Sequence, residues 1–249
     1  MPEDSRAAIR FRIGGAMRFL SHAETARVFQ RACARAAIPV RYSEGFNPHP
    51  RLSLPLPRPV GVAAEDELLV VKLCEDRWGA RAENRAEREA AMKQALAEQL
   101  PEGMEVLAVD LGAASASLHP QSAEYVLPLR ANEDADLAER RREEIARVMG
   151  RDRCMVKRAS GEGRAAKSVD VRPFLCSIRL EGGNLIVQHQ TGGAGSIRVD
   201  EIMQLFGLQT QDLAGPVRRT NVNWETTELQ NTSKEPCMET RAEDLEDAA

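Results

Sequence analysis

Aromatic side chains make up only 4% of this 249-residue chain: two Trp, two Tyr and six Phe. A surface that reads single-stranded nucleic acid mainly by base stacking is therefore poorly supplied. The five cysteines, Cys33, Cys74, Cys154, Cys176 and Cys237, are scattered, with no Cys-x-x-Cys and no Cys-x-x-x-Cys-x-x-Cys spacing. No zinc or iron–sulfur motif is present, and the thiols are expected to be reduced core or surface groups. No run of about 18 apolar residues occurs, and the start Met-Pro-Glu-Asp-Ser-Arg lacks the basic-then-apolar pattern of an export signal. The expectation is a cytoplasmic protein without a membrane-spanning segment.

What is abundant is charge, unevenly placed. The net charge of −4 hides ten arginines against two acids, Glu24 and Glu44, between Arg6 and Arg58; from Glu225 to Asp247 eight acids face Lys234 and Arg241. A basic front of this kind can attract phosphate backbones, although a solvated arginine surface gives the same count. Within that front, residues 41–62 concentrate five prolines, two glycines, three arginines and a histidine. Proline fixes φ and removes a backbone donor, so the segment is expected to be a stiff, extended, largely unpaired path. Asn47, His49 and Arg51 at alternate positions would then point to one side.

Periodicity divides the rest. Ile9–Ile13 alternates as a half-buried strand, and Ser21 with Glu24 forms a capping box that opens a helix stopped by Pro39. Strands are predicted at Val40–Tyr42, Leu68–Leu73 and Met104–Val109, with a helix over Arg81–Leu100. The second half reads as strands at Tyr125–Leu129, Cys154–Arg158, Ser168–Val171, Phe174–Glu181, Asn184–Gln190 and Val217–Val222, and helices at Asp136–Met149 and Ile197–Phe206. Gly182-Gly183 is expected to close a hairpin. The predicted fold class is α+β: tandem ferredoxin-like (βαββαβ-type) domains with antiparallel sheets and helices on one face. The boundaries are an N-terminal domain at 1–110 carrying the Pro-rich loop 41–62, a linker at 111–123, a C-terminal domain at 124–224, and an acidic disordered tail at 225–249.

The run Arg18-Phe-Leu-Ser-His-Ala23, then Tyr42-Ser-Glu-Gly-Phe-Asn-Pro-His-Pro-Arg51 and Pro55–Val62, resembles the signature of the radical-SAM-associated (radical-SAM-linked) domain of unknown function. Lys167–Phe174, with Asp170 before Arg172-Pro173, and Gly193–Glu201 resemble two further segments of that family, except that Val199 stands where its pattern has proline. The resemblance covers roughly residues 9–222. It implies an accessory or substrate-handling component for a radical SAM enzyme, with an RNA substrate suggested by the genes such members neighbour. The partner would carry the iron–sulfur cluster and S-adenosylmethionine, with cobalamin as a further candidate; no cofactor is expected in this chain.

Three candidate sites follow. The first is Tyr42, Asn47, His49 and Arg51 together with Arg18 and His22: a guanidinium can grip a phosphate bidentately and an imidazole can donate or exchange a proton near neutral pH. The alternative is a rigid corner whose polar side chains satisfy its own backbone, Asn47 capping a turn and His49 bracing a strand. A metal at His22 and His49 lacks further ligands at suitable spacing. The second is the glycine turn Gln190–Ser196 with Arg198, either an anion site at a helix start or simply a turn with Ser196 as N-cap. The third, Asp170 with Arg172, reads more simply as an internal ion pair than as a reactive pair, and Arg218-Arg219-Thr220 as an exposed strand edge. The site residues expected to bind substrate are thus Arg18, His22, Tyr42, Asn47, His49, Arg51 and Arg198. The function they point to is presentation of tRNA or rRNA to a radical SAM partner, without catalysis by this chain. The alternatives are a stand-alone RNA-modifying or RNA-cleaving enzyme using His49 or His22, and a protein-only scaffold.

Overall fold

The computed structural model describes residues 5–74, 84–113, 116–130, 135–159, 165–192 and 195–228. The start of the predicted 81–100 helix, residues 160–164, Gly193-Ala194 and the tail beyond 228 lie outside the described residues.

The first half runs β1 (Ser5–Ile13), α1 (His22–Arg35), β2 (Leu52–Ser53), β3 (Ala63–Leu73), α2 (Arg85–Ala97) and β4 (Met104–Ala113). The second runs β5 (Ala116–Pro128), α3 (Ala135–Met149), β6 (Met155–Arg158), β7 (Lys167–Asp170), β8 (Leu175–Glu181), β9 (Asn184–Gln190), α4 (Val199–Leu205) and β10 (Arg218–Glu228). All but β6 and β7, which form their own antiparallel ribbon, join one eight-stranded sheet of order β4-β1-β3-β10-β5-β9-β8, with β2 on β3. Every pairing is antiparallel except β3 with β10, which is parallel and spans only two register pairs, Arg218↔Ala63 and Arg219↔Ala64. The molecule is therefore an α+β protein with one large, mostly antiparallel sheet.

Alternation explains where the core sits. Ala7, Ile9, Phe11 and Ile13 are the buried side of β1 and meet Leu69, Val71 and Leu73 of β3 and Val106, Val109 and Leu111 of β4. Phe29, Ala32 and Cys33 of α1 and Met92 and Leu96 of α2 pack into the same cluster, so both helices lie on this face. A second cluster joins Tyr125, Leu127, Leu185 and Val187 to Val148 of α3 and Ile202 of α4. α1 begins as its sequence dictates: Ser21 Oγ accepts from Glu24 N (3.3 Å) and Glu24 Oε2 from Ser21 N (2.8 Å).

Two boundaries differ from the sequence reading. The stretch 111–123 is not a linker, because β4 continues to Ala113 and β5 starts at Ala116, where β10 residues 223–228 supply its ladder partner. Residues 225–228 accordingly belong to β10 and not to the tail. Val40–Tyr42 makes isolated bridges only, Val40↔Leu73 and Tyr42↔Pro50, because the chain turns back at once.

Candidate nucleic-acid interface

The proline segment is paired, contrary to expectation. Its few remaining donors are the ones that close it: Ser43 N gives to His49 O (2.8 Å), His49 N to Ser43 Oγ (2.9 Å) and Arg51 N to Arg41 O (2.7 Å). Lys72 of β3 ties both arms down, its carbonyl accepting from Arg41 N (2.8 Å) and its N–H giving to Arg51 O (2.9 Å). Residues 41–51 are thus a small hairpin projecting past the end of β3, with prolines 48 and 50 where no donor is needed. Phe46 at its tip is fully exposed, and Tyr42, Asn47, His49 and Arg51 are exposed too. Ser43 does the bracing that Asn47 and His49 might have done, and those four polar side chains make no hydrogen bond among the described residues.

The other end of the segment is anchored by Arg58. Its guanidinium gives to the carbonyls of Arg18 (2.6 Å), Leu20 (2.9 Å), Pro59 (3.1 Å) and Val62 (2.5 Å), so one side chain clamps the turn before α1 onto the start of β3. Burial pulls this guanidinium below its ordinary range, and the carboxylate of Glu67 opposes the shift. Arg18 lies over the Phe19 ring at 4.2 Å and gives to Gly15 O (2.6 Å). His22 is exposed beside a shallow dent lined also by Phe11, Thr25, Leu54, Leu56, Arg58 and Glu67.

The candidate residues therefore fall into separate groups. Gly61 N bonds Arg18 O at one end of β3, while Lys72 bonds Arg51 at the other, a span of about 30 Å of strand. The structure brings Arg18 and His22 together around Arg58, and Tyr42, Asn47, His49 and Arg51 together on the hairpin, but not the two sets.

Arg198 is exposed at the start of α4, whose first residue, Val199, lines an open groove with Arg18, Phe19 and Gly61. Ser196 is not the cap. The anion at this helix start is Glu201, fully buried, which accepts from Arg198 N (2.9 Å) and pairs with Arg158 at 2.5 and 2.9 Å. Burial opposes this charge, but those donors outweigh it and hold the carboxyl below its ordinary range. Asp170 and Arg172 do not form the expected ion pair. Asp170 Oδ1 accepts from Cys154 N (2.8 Å) and Arg172 N (3.1 Å), while the guanidinium gives to the carbonyls of Met149, Arg151 and Leu175.

The sharpest departure is Arg219, read as exposed and found 1% exposed. β10 is an inner strand, so its inward arginine enters the seam between the halves, where Glu67 takes two of its N–H groups (2.7 and 2.5 Å) and Leu56 O and Pro57 O take others (3.0 and 3.2 Å). Its neighbour Arg218 pairs with Glu65 at 2.7 Å. Tyr125 lies beside Arg219 in the ladder and stacks on His189, with centroids 4.9 Å apart and planes 8° from parallel. Burial pushes the His189 imidazole down to about 4. The available signal was the alternation of β3, which puts Glu67 on the same side as the buried Leu69 and Val71, since a buried acid needs a cation.

Among the described residues, no three His, Cys, Asp or Glu side chains group so as to hold a metal ion, and no helix is long and apolar enough to cross a membrane. Cys33 and Cys154 are buried free thiols, and burial raises Cys33 to about 11.

Sheet, helices and clamped hairpin define an α+β protein whose first half presents Tyr42, Phe46, His49 and Arg51 to solvent. Residues 6–200 match the family described as "Uncharacterized protein conserved in bacteria (DUF2344)", and the chain belongs to that family. No curated protein matches it. Among solved structures, a chain from "Crystal Structure of a Cbf5-Nop10-Gar1 Complex" is similar at 13% identity over 87% of this chain, with a TM-score of 0.38. The match covers 48% of that chain, so this one spans about half its length.

Proposed function

We propose that this protein is a non-catalytic RNA-binding accessory of a radical SAM enzyme, built on two ferredoxin-like units. Each half supports the fold reading through its strand order: β4-β1-β3 with β2 on β3, and β10-β5-β9-β8, each, with the separate β6–β7 ribbon left out, the fourth, first, third and second strands that its half gives to the sheet. The observation that carries the functional reading is the 41–51 hairpin. Its backbone is closed by its own hydrogen bonds, yet Tyr42, Phe46, Asn47, His49 and Arg51 are left facing solvent. A structural corner would have spent those groups on itself; a recognition element keeps them free, preorganised at little entropic cost. The radical SAM association is supported by the motif resemblance at residues 18–23 and 42–51. RNA cleavage or modification by His22 and His49 acting as a pair is disfavoured, because their positions along β3 lie roughly 15 Å or more apart.

Filter binding of purified protein to tRNA and rRNA fragments across a salt series tests the RNA contact. Affinity that falls steeply with salt and weakens in Arg51→Ala is expected; salt-independent or absent binding refutes it. Co-purification with the neighbouring radical SAM protein after nuclease treatment tests the partner.

A further inference from the structure

Helix α1 turns Thr25, Phe29, Ala32 and Cys33 into the core and leaves Arg27, Arg31 and Arg35 exposed on the opposite flank. Four-residue spacing sets them about 6 Å apart along the axis, close to the step between neighbouring phosphates of one nucleic-acid strand. Elsewhere exposed Arg10, Arg12, Arg85, Arg142 and Arg179 each meet a carboxylate of this chain, while Arg140, Arg147, Arg151 and Arg198 are exposed without such a pair among the described residues but form no row of four-residue steps within one helix. The α1 row combines the spacing with the lack of ion pairs. Arg31 has no partner among the described residues, Arg27 interacts only with Glu24, and Arg35 gives one N–H to Gln99 O (2.9 Å). Arg31 and Arg35 border a shallow, open depression with Val28, Gln99, Leu100 and Pro101, and no acid lines it. Glu24 and Glu44 are the carboxylates nearest the row by chain position, and Glu98 and Glu102 flank Gln99–Pro101. The row also leads somewhere. After Arg35 the chain reverses at Ala37, Val40 bridges to Leu73, and the hairpin starts at Arg41, so the cations run up to the hairpin base.

We propose that the outer face of α1 grips the phosphate backbone of an RNA stem while the hairpin holds the unpaired nucleotides beside it. The inference rests on the reading of the hairpin as an RNA contact and adds the class of RNA, a duplex with an adjoining single strand. An A-form duplex presents phosphates and 2′-hydroxyls rather than readable base edges, which suits arginines in a row with no aromatic among them. Two of the three exposed aromatics, Tyr42 and Phe46, are on the hairpin, where unpaired bases would stack; the third, Phe19, lies under Arg18.

The test uses the full chain and three labelled RNAs of equal length: a single strand, a blunt duplex, and a stem with an overhang, each titrated over a salt series. The stem with overhang should bind tightest. Arg27→Gln/Arg31→Gln/Arg35→Gln should lose duplex binding, keep single-strand binding, and shed about 0.9 of salt slope per phosphate contact. Its affinity should then fall roughly 40-fold less than wild type between about 50 and 200 mM salt. Phe46→Ala should do the reverse. A triple variant with wild-type slope and duplex affinity, or a wild type indifferent to the stem, overturns this inference and leaves the hairpin reading standing. Absence of all RNA binding, or capture of polyglutamate in its place, overturns both. If circular dichroism shows the triple variant unfolded, Arg31→Gln alone carries the test, with a slope lower by about 1.

Discussion

Replacing Arg219 with methionine removes a guanidinium that serves four acceptors and leaves the Glu67 carboxylate, 4% exposed, without a cation. Breaking a buried pair from one side costs about 3–5 kcal/mol, because the survivor keeps its desolvation penalty. Against a total stability of about 5–15 kcal/mol that is a large share, and for a chain of this size it lowers Tm by roughly 10 °C. Glu67→Gln should cost less, about 2 kcal/mol, since the amide oxygen and the carbonyls of Leu56 and Pro57 still accept from Arg219. The Arg219→Met/Glu67→Leu double variant should recover about 2–3 kcal/mol relative to the sum of Arg219→Met and Glu67→Leu, leaving mainly the two carbonyls undonated. Urea unfolding of wild type, both single variants and the double variant measures this coupling. It should persist in about 1 M salt, because the pair is shielded from the counterions that screen surface charges. Single costs below about 1 kcal/mol, or costs that add to within about 0.5 kcal/mol, would refute the account of the seam.

Three further outcomes are expected. His189 holds a folded pKa of about 4 against an ordinary 6.5, so the unfolded chain binds the extra proton first; stability is full above about pH 6.5 and falls by about 3 kcal/mol as pH drops to 4. His189→Phe keeps the stack on Tyr125 and should remove that part of the slope, measured by urea midpoints at each pH; an unchanged slope contradicts the burial argument. Ala37 occupies the left-handed region at φ 52° after α1, with Ile38 N bonded to Cys33 O at 3.0 Å, so Ala37→Gly should raise stability by about 1 kcal/mol in thermal melts. Gly103, at φ 91°, accepts from Gly14 N at 2.8 Å and has no room for a side chain, since a Cβ would meet Gly14 O at 2.9 Å; Gly103→Ala should cost about 2 kcal/mol or more, and a neutral result would show that this turn can shift.

Features set by neighbours in sequence were legible in it. Ser21 with Glu24 marked the start of α1 because a capping box is closed within four residues, and Gly182-Gly183 marked the β8–β9 hairpin because φ values of 55° and 75° suit glycine at both positions. What escaped was set by partners far along the chain. The start of β5 looked like a linker because its ladder partner lies about a hundred residues away in β10. Arg219 looked exposed because its counter-charge is 152 residues distant. The hairpin fell between these cases: its prolines were visible, but Ser43, His49 and Arg51 needed only three donors to pair it. The α1 arginines were counted in the basic front without being seen as a row.

The two-pair junction between β3 and β10 also bears on how the chain reaches its native state. The residues it joins are more than 150 positions apart, so the first half is made, and can collapse around its own cluster, well before β10 exists. During that interval the start of β3 is an open sheet edge, the kind of template on which unfolded chains stack. That edge carries Glu65, Asp66 and Glu67 in succession. Asp66 is held by Arg10 of β1, and the remaining carboxylates, Glu65 and Glu67, repel a second copy of the same edge and admit the one strand that arrives bearing Arg218 and Arg219. The charges that lock the finished sheet therefore also guard the half-finished one against self-association.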